Sequence, residues 1–183
     1  MNKQEVLQIL GKVGVVINGS HFVYTSGMHG TTYLNKDALY PHTAETSRLC
    51  REIAERFAKD NVEVVIAPAI GGVKLSDRVA EHLTGIAGHE VLSVYAEKET
   101  VAIPDPKDMN RTCFAETGCF IIKRGYDKLI AGKNVLVVED VLTTGDSAKK
   151  VIEATRAIGG NVIGLGVLWN RGGITRRDVA NVP

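Results

Sequence analysis

Residues 134–147 read N-V-L-V-V-E-D-V-L-T-T-G-D-S, a pattern that predicts a strand, a polar loop and a helix in succession. The apolar run 135–138 has the length and β-branched content of a strand buried on both faces. Glu139 and Asp140 follow it, and the hydroxyl- and glycine-rich turn 143–147 opens onto a helical pattern. Backbone N–H groups and hydroxyls at a helix N-terminus form an anion site.

The acidic pair Glu139 and Asp140 limits which anions could bind at this loop. Two carboxylates just before the loop would repel a bare phosphate, so we expect a ligand that also carries hydroxyls or a metal, such as a phosphorylated sugar. The alternative is an ordinary strand–turn–helix in which the Thr, Asp and Ser side chains only cap the helix. For the loop taken alone, both interpretations stay open.

The composition is typical of a single globular domain. The chain has 183 residues, a net charge of +1 and 44% hydrophobic residues. No apolar run approaches the roughly 20 residues of a membrane span, and no dense basic run indicates a nucleic-acid surface. The three cysteines form no C-x-x-C pair, as in proteins with reduced thiols, and the five histidines have no metal-ligand spacing. We therefore expect a cytoplasmic protein that binds neither nucleic acid nor membrane.

The first forty residues predict a small antiparallel subdomain. A short helix covers residues 6–10, and Asn18-Gly19 is a strong signal for a tight hairpin between residues 15–17 and 21–24. A second turn is expected at 25–30 and a strand pattern at 31–40. A long helix should follow Pro41, with an apolar stripe formed by Leu49, Cys50, Ile53, Ala54 and Phe57.

From residue 60 to residue 170, strands alternate with helices, which predicts an α/β fold with a doubly wound parallel sheet. The predicted strands are 62–67, 90–96, 119–123, 135–138 and 161–169, with a turn region at 125–132. Ligands bind beyond the carboxyl ends of the strands in such sheets. The loops 68–72, 140–147 and 169–173 all lie there. The polar segment 97–118, with two prolines and no clear period, predicts a lid or a disordered loop.

Residues 134–147 resemble the phosphoribosyl-diphosphate (PRPP) signature of the type I phosphoribosyltransferases. Four further stretches are similar to the orotate phosphoribosyltransferases and come in the same order. They are HFVYTSG with TTYLN (21–27 and 31–35), VVIAPAIGG (64–72), YAEKE (95–99) and VLWNRGG (167–173). The resemblance implies one phosphoribosyltransferase domain over 1–183, with a hood at 1–40, a PRPP-binding core at 41–173 and a flexible loop at 97–118. It also implies a homodimer.

The resemblance implies a role for each matching residue. Glu139 and Asp140 would contact the ribose hydroxyls and favour a cationic ribosyl group, with Lys98 as a further catalytic residue. The 5′-phosphate would be held by Thr143, Thr144, Gly145, Asp146 and Ser147. The diphosphate would be held by Ala69, Ile70, Gly71 and Gly72, a loop that often contains a non-proline cis peptide in this family. The base would face Thr25, Ser26 and Arg171. Mg²⁺ would be bound through PRPP, and Asp140 is a candidate ligand.

Several positions depart from the family pattern. Orotate enzymes commonly have a lysine where this chain has Thr25, and the arginine and second lysine of their flexible loop are Glu97 and Val101 here. Some relatives also have a lysine in place of Gly71. The compensating cations that we consider are Lys98, Lys107, Arg111 and Lys74. Relatives usually continue with another helix beyond Pro183, which leaves open that the sequence is part of a longer gene product.

The implied activity is Mg²⁺-dependent transfer of the phosphoribosyl group from PRPP to orotate, giving orotidine 5′-monophosphate and diphosphate in pyrimidine nucleotide biosynthesis. Two alternatives stay open at this point. One is a phosphoribosyltransferase for a purine or another base, which Thr25 and the altered loop favour. The other is a non-catalytic PRPP-binding regulator, which the missing lysine favours.

Overall fold

The computed structural model describes Met1, residues 3–23, Gly27 and residues 29–182. The chain divides into two compact units, Met1–Glu52 and Ile53–Pro183. Within the described residues, none of the helices combines the length and the apolar character needed to span a bilayer.

The first unit contains a two-stranded antiparallel sheet, as predicted. Its elements are α1 (Lys3–Lys12), β1 (Val16–Val23), β2 (His29–Leu34), a 3-10 helix (Lys36–Ala38) and most of α2 (Thr43–Arg56). Strands β1 and β2 pair along their length. The long helix after Pro41 is confirmed, and four of the five residues predicted for its apolar stripe, Leu49, Cys50, Ile53 and Ala54, are buried.

Two predictions for the first unit were wrong. Asn18 and Gly19 do not form the hairpin turn, because both lie inside β1. The register is irregular between Asn18 and Phe22, and Gly19 has a φ of +80°, so the glycine serves an irregularity within the strand. Strand β1 instead continues to Val23 and β2 begins at His29, and most of the second turn predicted at 25–30 lies outside the described residues. The strand predicted for 31–40 ends at Leu34, and a 3-10 helix follows.

The second unit is built on a five-stranded sheet with the order β5-β4-β3-β6-β7. Its elements are β3 (Val64–Pro68), α3 (Val73–Ala87), β4 (Leu92–Asp105), β5 (Asp108–Ile121), α4 (Tyr126–Ile130), β6 (Asn134–Leu142), α5 (Asp146–Ala157) and β7 (Asn161–Asn170). Strands β4, β3, β6 and β7 are parallel, and β5 is an antiparallel edge strand. The predicted doubly wound α/β fold is confirmed, with this one antiparallel addition.

Both faces of the sheet are covered. On one face, Ala148, Val151 and Ile152 of α5 join Val64 and Val137 in the main apolar cluster. The side chains of β3 and of residues 135–138 are all buried, which explains why these strands read as continuous apolar runs.

On the other face, the end of α2 and the segment after it lie close to the backbone of β7. A Cβ atom on Gly166 would stand 2.6 Å from Ile53, and one on Gly164 would overlap the ring of Phe57. Glycine at these two positions therefore leaves room for the side chains of Ile53 and Phe57 to pack against the sheet.

The segment 97–118 was predicted to be an irregular loop, and this was wrong. It forms the outer parts of β4 and β5, which pair as a long hairpin in which Pro104 lies opposite Thr112. Most of its residues are exposed. Because neither face of this ribbon packs on the core, its sequence lacks the hydrophobic period that marks a core strand. The predicted turn region 125–132 also differs, since it contains the short helix α4.

We predict that Gly166→Ala destabilises the protein by about 1–3 kcal/mol, because the added methyl group overpacks the buried Ile53 side chain. Urea unfolding followed by circular dichroism measures the loss. Gly85→Ala in α3 is the matched control, since a Cβ atom there meets open space, and it should stabilise the helix by up to about 1 kcal/mol. Equal stability of the Gly166→Ala variant and the wild type would contradict the packing argument.

Candidate functional site

The predicted loops meet at one edge of the sheet. Strands β3, β6 and β7 are adjacent and parallel, so their carboxyl ends at Pro68, Leu142 and Asn170 point the same way. From β3 the chain continues to one side through β4 and β5, and it returns to the other side of β3 as β6 and β7. The boundary between β3 and β6 is therefore the topological switch point, where open α/β sheets form a ligand crevice.

The loop 143–147 joins β6 to α5. Gly145 is the N-cap of α5 with a φ of +78°, and it makes no side-chain cap hydrogen bond. The left-handed backbone favours glycine here. The amide groups of the first helical turn are directed toward the loop, as an anion site requires, and one of them, the Asp146 N–H, donates to the Thr144 hydroxyl at 3.4 Å.

The C-terminal segment supports this loop from behind. A Cβ atom on Gly145 would stand 2.9 Å from Val179 and 3.1 Å from Ile174. Val179 and Val182 are buried in the apolar cluster that contains α5. On the exposed side, Asp146 pairs with Lys150 at 2.6 Å, and this hydrogen bond raises the pKa of Lys150.

The loop 68–72 joins β3 to α3. The peptide bond between Ala69 and Ile70 is cis, as the resemblance led us to expect. The Ala69 N–H donates to the carbonyl of Ala96 on β4, which ties the loop to the neighbouring strand. Gly72 is the N-cap of α3, and a Cβ atom on it would stand 2.7 Å from the Cβ of Ala67. A second helix N-terminus without a side-chain cap thus adjoins the switch point.

The two carboxylates lie within β6, which is longer than predicted. The strand continues to Leu142, so Glu139 and Asp140 do not mark its end. Their residues are only 6% and 3% exposed. The Asp140 N–H donates to the Glu139 carboxylate at 3.2 Å. Two buried carboxylates therefore lie at the end of the β6 core, directly before the loop 143–147.

The loop after β7 contacts the phosphate-loop candidate directly. The N–H groups of Arg171 and Gly172 both donate to the Leu142 carbonyl, at 2.9 and 3.1 Å. The Arg171 guanidinium donates to the Thr143 hydroxyl at 2.8 Å. A Cβ atom on Gly172 would overlap the carbonyl oxygen of Thr143. The structure therefore brings together Arg171 and the loop 143–147, which were predicted to contact different parts of the ligand.

Lys98 lies where the β4–β5 hairpin leaves the sheet. Its ammonium group pairs with Glu116 at 2.9 Å, and both side chains are about half exposed. Two of the other cations considered as replacements for the missing lysines lie at the far end of the hairpin. Arg111 pairs with Asp108 next to the hairpin turn, and Lys107 lies in that turn.

Arg124 was missed by the sequence analysis. Its guanidinium binds the Glu97 carboxylate at 2.7 Å and lies 5.8 Å from the centre of the Tyr95 ring. The hydrogen bond with Glu97 raises the pKa of Arg124, and burial raises the pKa of Tyr126, whose ring packs edge-on against Tyr95. No motif contained Arg124, so only the fold pairs it with Glu97. Thr25 and Ser26, the other predicted base contacts, lie outside the described residues.

Comparison with known proteins agrees with this geometry. The family model described as "Phosphoribosyl transferase domain" matches residues 35–182. The orotate phosphoribosyltransferase of Pelotomaculum thermopropionicum is 39% identical over 171 residues, covering 93% of this chain and 77% of the relative. That of Desulforamulus reducens is 37% identical over 171 residues, covering 93% and 76%. The chain belongs to the orotate phosphoribosyltransferase family.

A solved structure supports the same assignment. The crystal structure of orotate phosphoribosyltransferase from Aeropyrum pernix aligns with a TM-score of 0.67 and 25% identity, covering 96% of this chain and 86% of that one. The resemblance seen in residues 134–147 is thus confirmed for the family and for the fold. The roles of single residues in this chain stay predictions.

We predict that Gly172→Ala weakens the binding of inorganic phosphate about tenfold or more, because the methyl group forces the Thr143 backbone away from its position. Isothermal titration with phosphate measures the change. Gly85→Ala should bind phosphate like the wild type. Unchanged affinity in Gly172→Ala would mean that the contact between the two loops does not shape the anion site.

We predict that Arg124→Ala increases amide hydrogen exchange at the root of the hairpin, in residues 97–100 and 116–121, because the pair with Glu97 is lost. An exposed ion pair of this kind corresponds to roughly a two- to fivefold change in local opening. Exchange measured by mass spectrometry tests this. Arg78→Ala, which removes an exposed pair with Glu81 on α3, should leave the hairpin unchanged.

A variant that exchanges the charges of Glu97 and Arg124 tests the ion pair more strictly. The double variant Glu97→Arg with Arg124→Glu keeps the two charges facing each other, so it should restore the protection that either single change removes. A double variant as exposed as the singles would indicate that the aromatic contacts, and not the ion pair, hold the hairpin root.

Proposed function

We propose that this chain transfers the phosphoribosyl group of PRPP to orotate, forming orotidine 5′-monophosphate and diphosphate. In this reaction the bond from C1 of the ribose to the diphosphate oxygen breaks, and a bond from C1 to a ring nitrogen of orotate forms. The observation that carries the proposal is the buried acidic pair at the topological switch point, with a glycine-capped helix N-terminus on either side.

The two helix N-termini suit the two ends of PRPP. The loop 143–147 would hold the 5′-phosphate with the amide groups that begin α5 and with the hydroxyls of Thr143, Thr144 and Ser147. The loop 69–72 would hold the diphosphate through the backbone at the start of α3. The ribose would then lie between the loops, beside Glu139 and Asp140.

The acidic pair would act on the ribosyl group as it becomes cationic. As the diphosphate leaves, positive charge develops on the sugar, and two fixed carboxylates in a water-poor position stabilise that charge. They are also hard oxygen ligands of the kind that Mg²⁺ takes together with substrate phosphates. When bound, Mg²⁺ would neutralise charge on the diphosphate and make it a better leaving group. Asp140 is the candidate protein ligand.

Recognition of the base would involve Arg171. A guanidinium binds a carboxylate well, and orotate is a base that carries one. Because Arg171 also donates to Thr143, the base and the phosphate would be held by one connected pair of loops. Thr25 and Ser26 are proposed to complete the base site.

The long hairpin supports the further proposal of a homodimer. Beyond Ala96, which lies opposite the end of β3, strand β4 continues for residues 97–105. At about 3.3 Å per residue this places its turn roughly 30 Å away along the strand. Lys107 and Arg111 would thus be far from their own loop 68–72. Val101 and Phe114 on the ribbon are 45% and 74% exposed, and an isolated two-stranded ribbon is marginal in water. A second subunit would cover it.

Lys98 remains the proposed catalytic cation of the chain's own site, with Lys74 at the start of α3 as a second cation. The cytoplasm is the proposed compartment, since Cys50, Cys113 and Cys119 form no disulfide among the described residues.

A base panel tests this function. Protein with PRPP and Mg²⁺ is offered orotate, uracil, adenine, hypoxanthine or xanthine, and diphosphate release is measured. We expect release with orotate. Release only with a purine would overturn the choice of base, and PRPP binding without release for any base would favour the regulator.

We predict that Asp140→Asn lowers kcat with orotate by about 100-fold or more, because one fixed negative charge beside the ribosyl cation is lost. Asp77→Asn, on the exposed face of α3, is the matched control and should retain full activity. Steady-state kinetics at saturating PRPP separates the effect on kcat from any effect on KM. A wild-type kcat in Asp140→Asn would remove this residue from the catalytic site.

A further inference from the structure

Two histidines of the first unit lie side by side on the paired strands β1 and β2. The register pairs Val23 with His29 and Phe22 with Gly30, so His21 is the diagonal neighbour of His29 on the same face of the ribbon. The Nε2 atom of His21 is 2.6 Å from the Nδ1 atom of His29, and the ring centres are 4.8 Å apart. Both residues are exposed.

The two facing nitrogens can hold only one proton between them. In the neutral pair, one nitrogen donates that proton and the other accepts it through its lone pair. If both rings take the tautomer that places the proton on the outer nitrogen, two lone pairs converge on one point. Imidazole nitrogens in this form are ligands for borderline transition-metal ions, whereas Mg²⁺ prefers oxygen.

The geometry requires only a small adjustment to admit such an ion. With metal–nitrogen bonds of about 2.0–2.1 Å and a tetrahedral angle, the two nitrogens would be about 3.3 Å apart. The pair would therefore open by roughly 0.7 Å. Exposed side chains can make this change by small rotations, without movement of the strands.

We propose that His21 and His29 form a cross-strand binding site for a divalent transition-metal ion, such as Ni²⁺, Zn²⁺ or Cu²⁺, with water in the other coordination positions. Among the residues that the structure describes, no three or more His, Cys, Asp or Glu side chains group as metal ligands, so the site has two protein ligands. It is separate in chemistry and in residues from the Mg²⁺ that PRPP would bring.

A bound ion would connect β1 to β2 at the end where the chain reverses. A two-stranded ribbon alone is marginally stable, and an ion that binds only the paired form stabilises that form. Binding of the ion at this end of the ribbon does not depend on the proposed function.

Isothermal titration of chelator-treated protein with Ni²⁺ tests the site, without substrate. The wild type and the control variant His42→Gln should bind one ion with equal affinity. His21→Gln and His29→Gln should each weaken this binding at least about tenfold, since each removes one of two ligands. Circular dichroism establishes that the variants are folded.

Hydrogen exchange is a second measurement, and it shows which strands the bound ion protects. Ni²⁺ should slow exchange in residues 16–23 and 29–34 of the wild type and of His42→Gln, and it should have no such effect in His21→Gln. Two results would overturn the proposal: no binding to the wild type, or binding that is equally tight when both His21 and His29 are replaced by glutamine. Because no step uses PRPP or a base, failure here leaves the proposed transferase function untouched.

Discussion

The close approach of two backbones, at Gly172 and Thr143, is the contact on which the site geometry depends. There is no room for a Cβ atom on Gly172, and the Leu142 carbonyl accepts hydrogen bonds from both Arg171 and Gly172. The loop after β7 is thereby fixed to the loop after β6. If one loop holds the phosphate and the other the base, as we propose, two loops connected in this way would fix the separation of the two ligands before either binds, which is how preorganisation accelerates a reaction.

The same strand pairing also positions Ile53 and Phe57, at the end of α2 and just after it, against the backbone of β7. Strands β6 and β7 pair with a shift between Val135 and Leu136, after which Val138 lies opposite Gly166 and Leu142 opposite Asn170. One register therefore places the glycines of β7 next to the end of α2. A few residues later, the same register places the turn after β7 next to Thr143. Packing in the core and geometry at the site are consequences of one alignment of two strands. A slip of this register would disturb both.

The central strands and the loops at their carboxyl ends could be predicted from sequence because their signals are local. A buried parallel strand reads as an apolar run, and glycine with hydroxyl residues at its end indicates an anion loop. The hairpin of β4 and β5 could not be predicted in that way, since a ribbon exposed on both faces has no core period. Asn18-Gly19 misled for a related reason: a glycine with positive φ suits a bulge as well as a turn, and only the pairing with β2 distinguishes them.

Contacts between residues that are distant in the chain also could not be predicted from the sequence. Arg124 and Glu97 are 27 residues apart, and His21 and His29 share a face only because β1 continues through the predicted turn. Neither spacing matches a motif. What sequence reasoning supplied was the chemistry of each residue, and what the fold added was which of them meet.

The distribution of ion pairs bears on how a chain with a net charge of +1 can handle a highly anionic substrate. Lys98 and Arg111 of the hairpin, and Arg124 just after it, each pair with a carboxylate of the hairpin. Such exposed pairs are weak and screened, so if Lys98 binds the diphosphate as we propose, the Glu116 carboxylate would be displaced at little cost. Glu139 and Asp140, by contrast, are buried, where salt screens a charge much less. Under the proposed mechanism, the charges that would move with the substrate lie on the exposed ribbon, and the charges that would stay fixed beside the ribosyl cation lie inside the sheet.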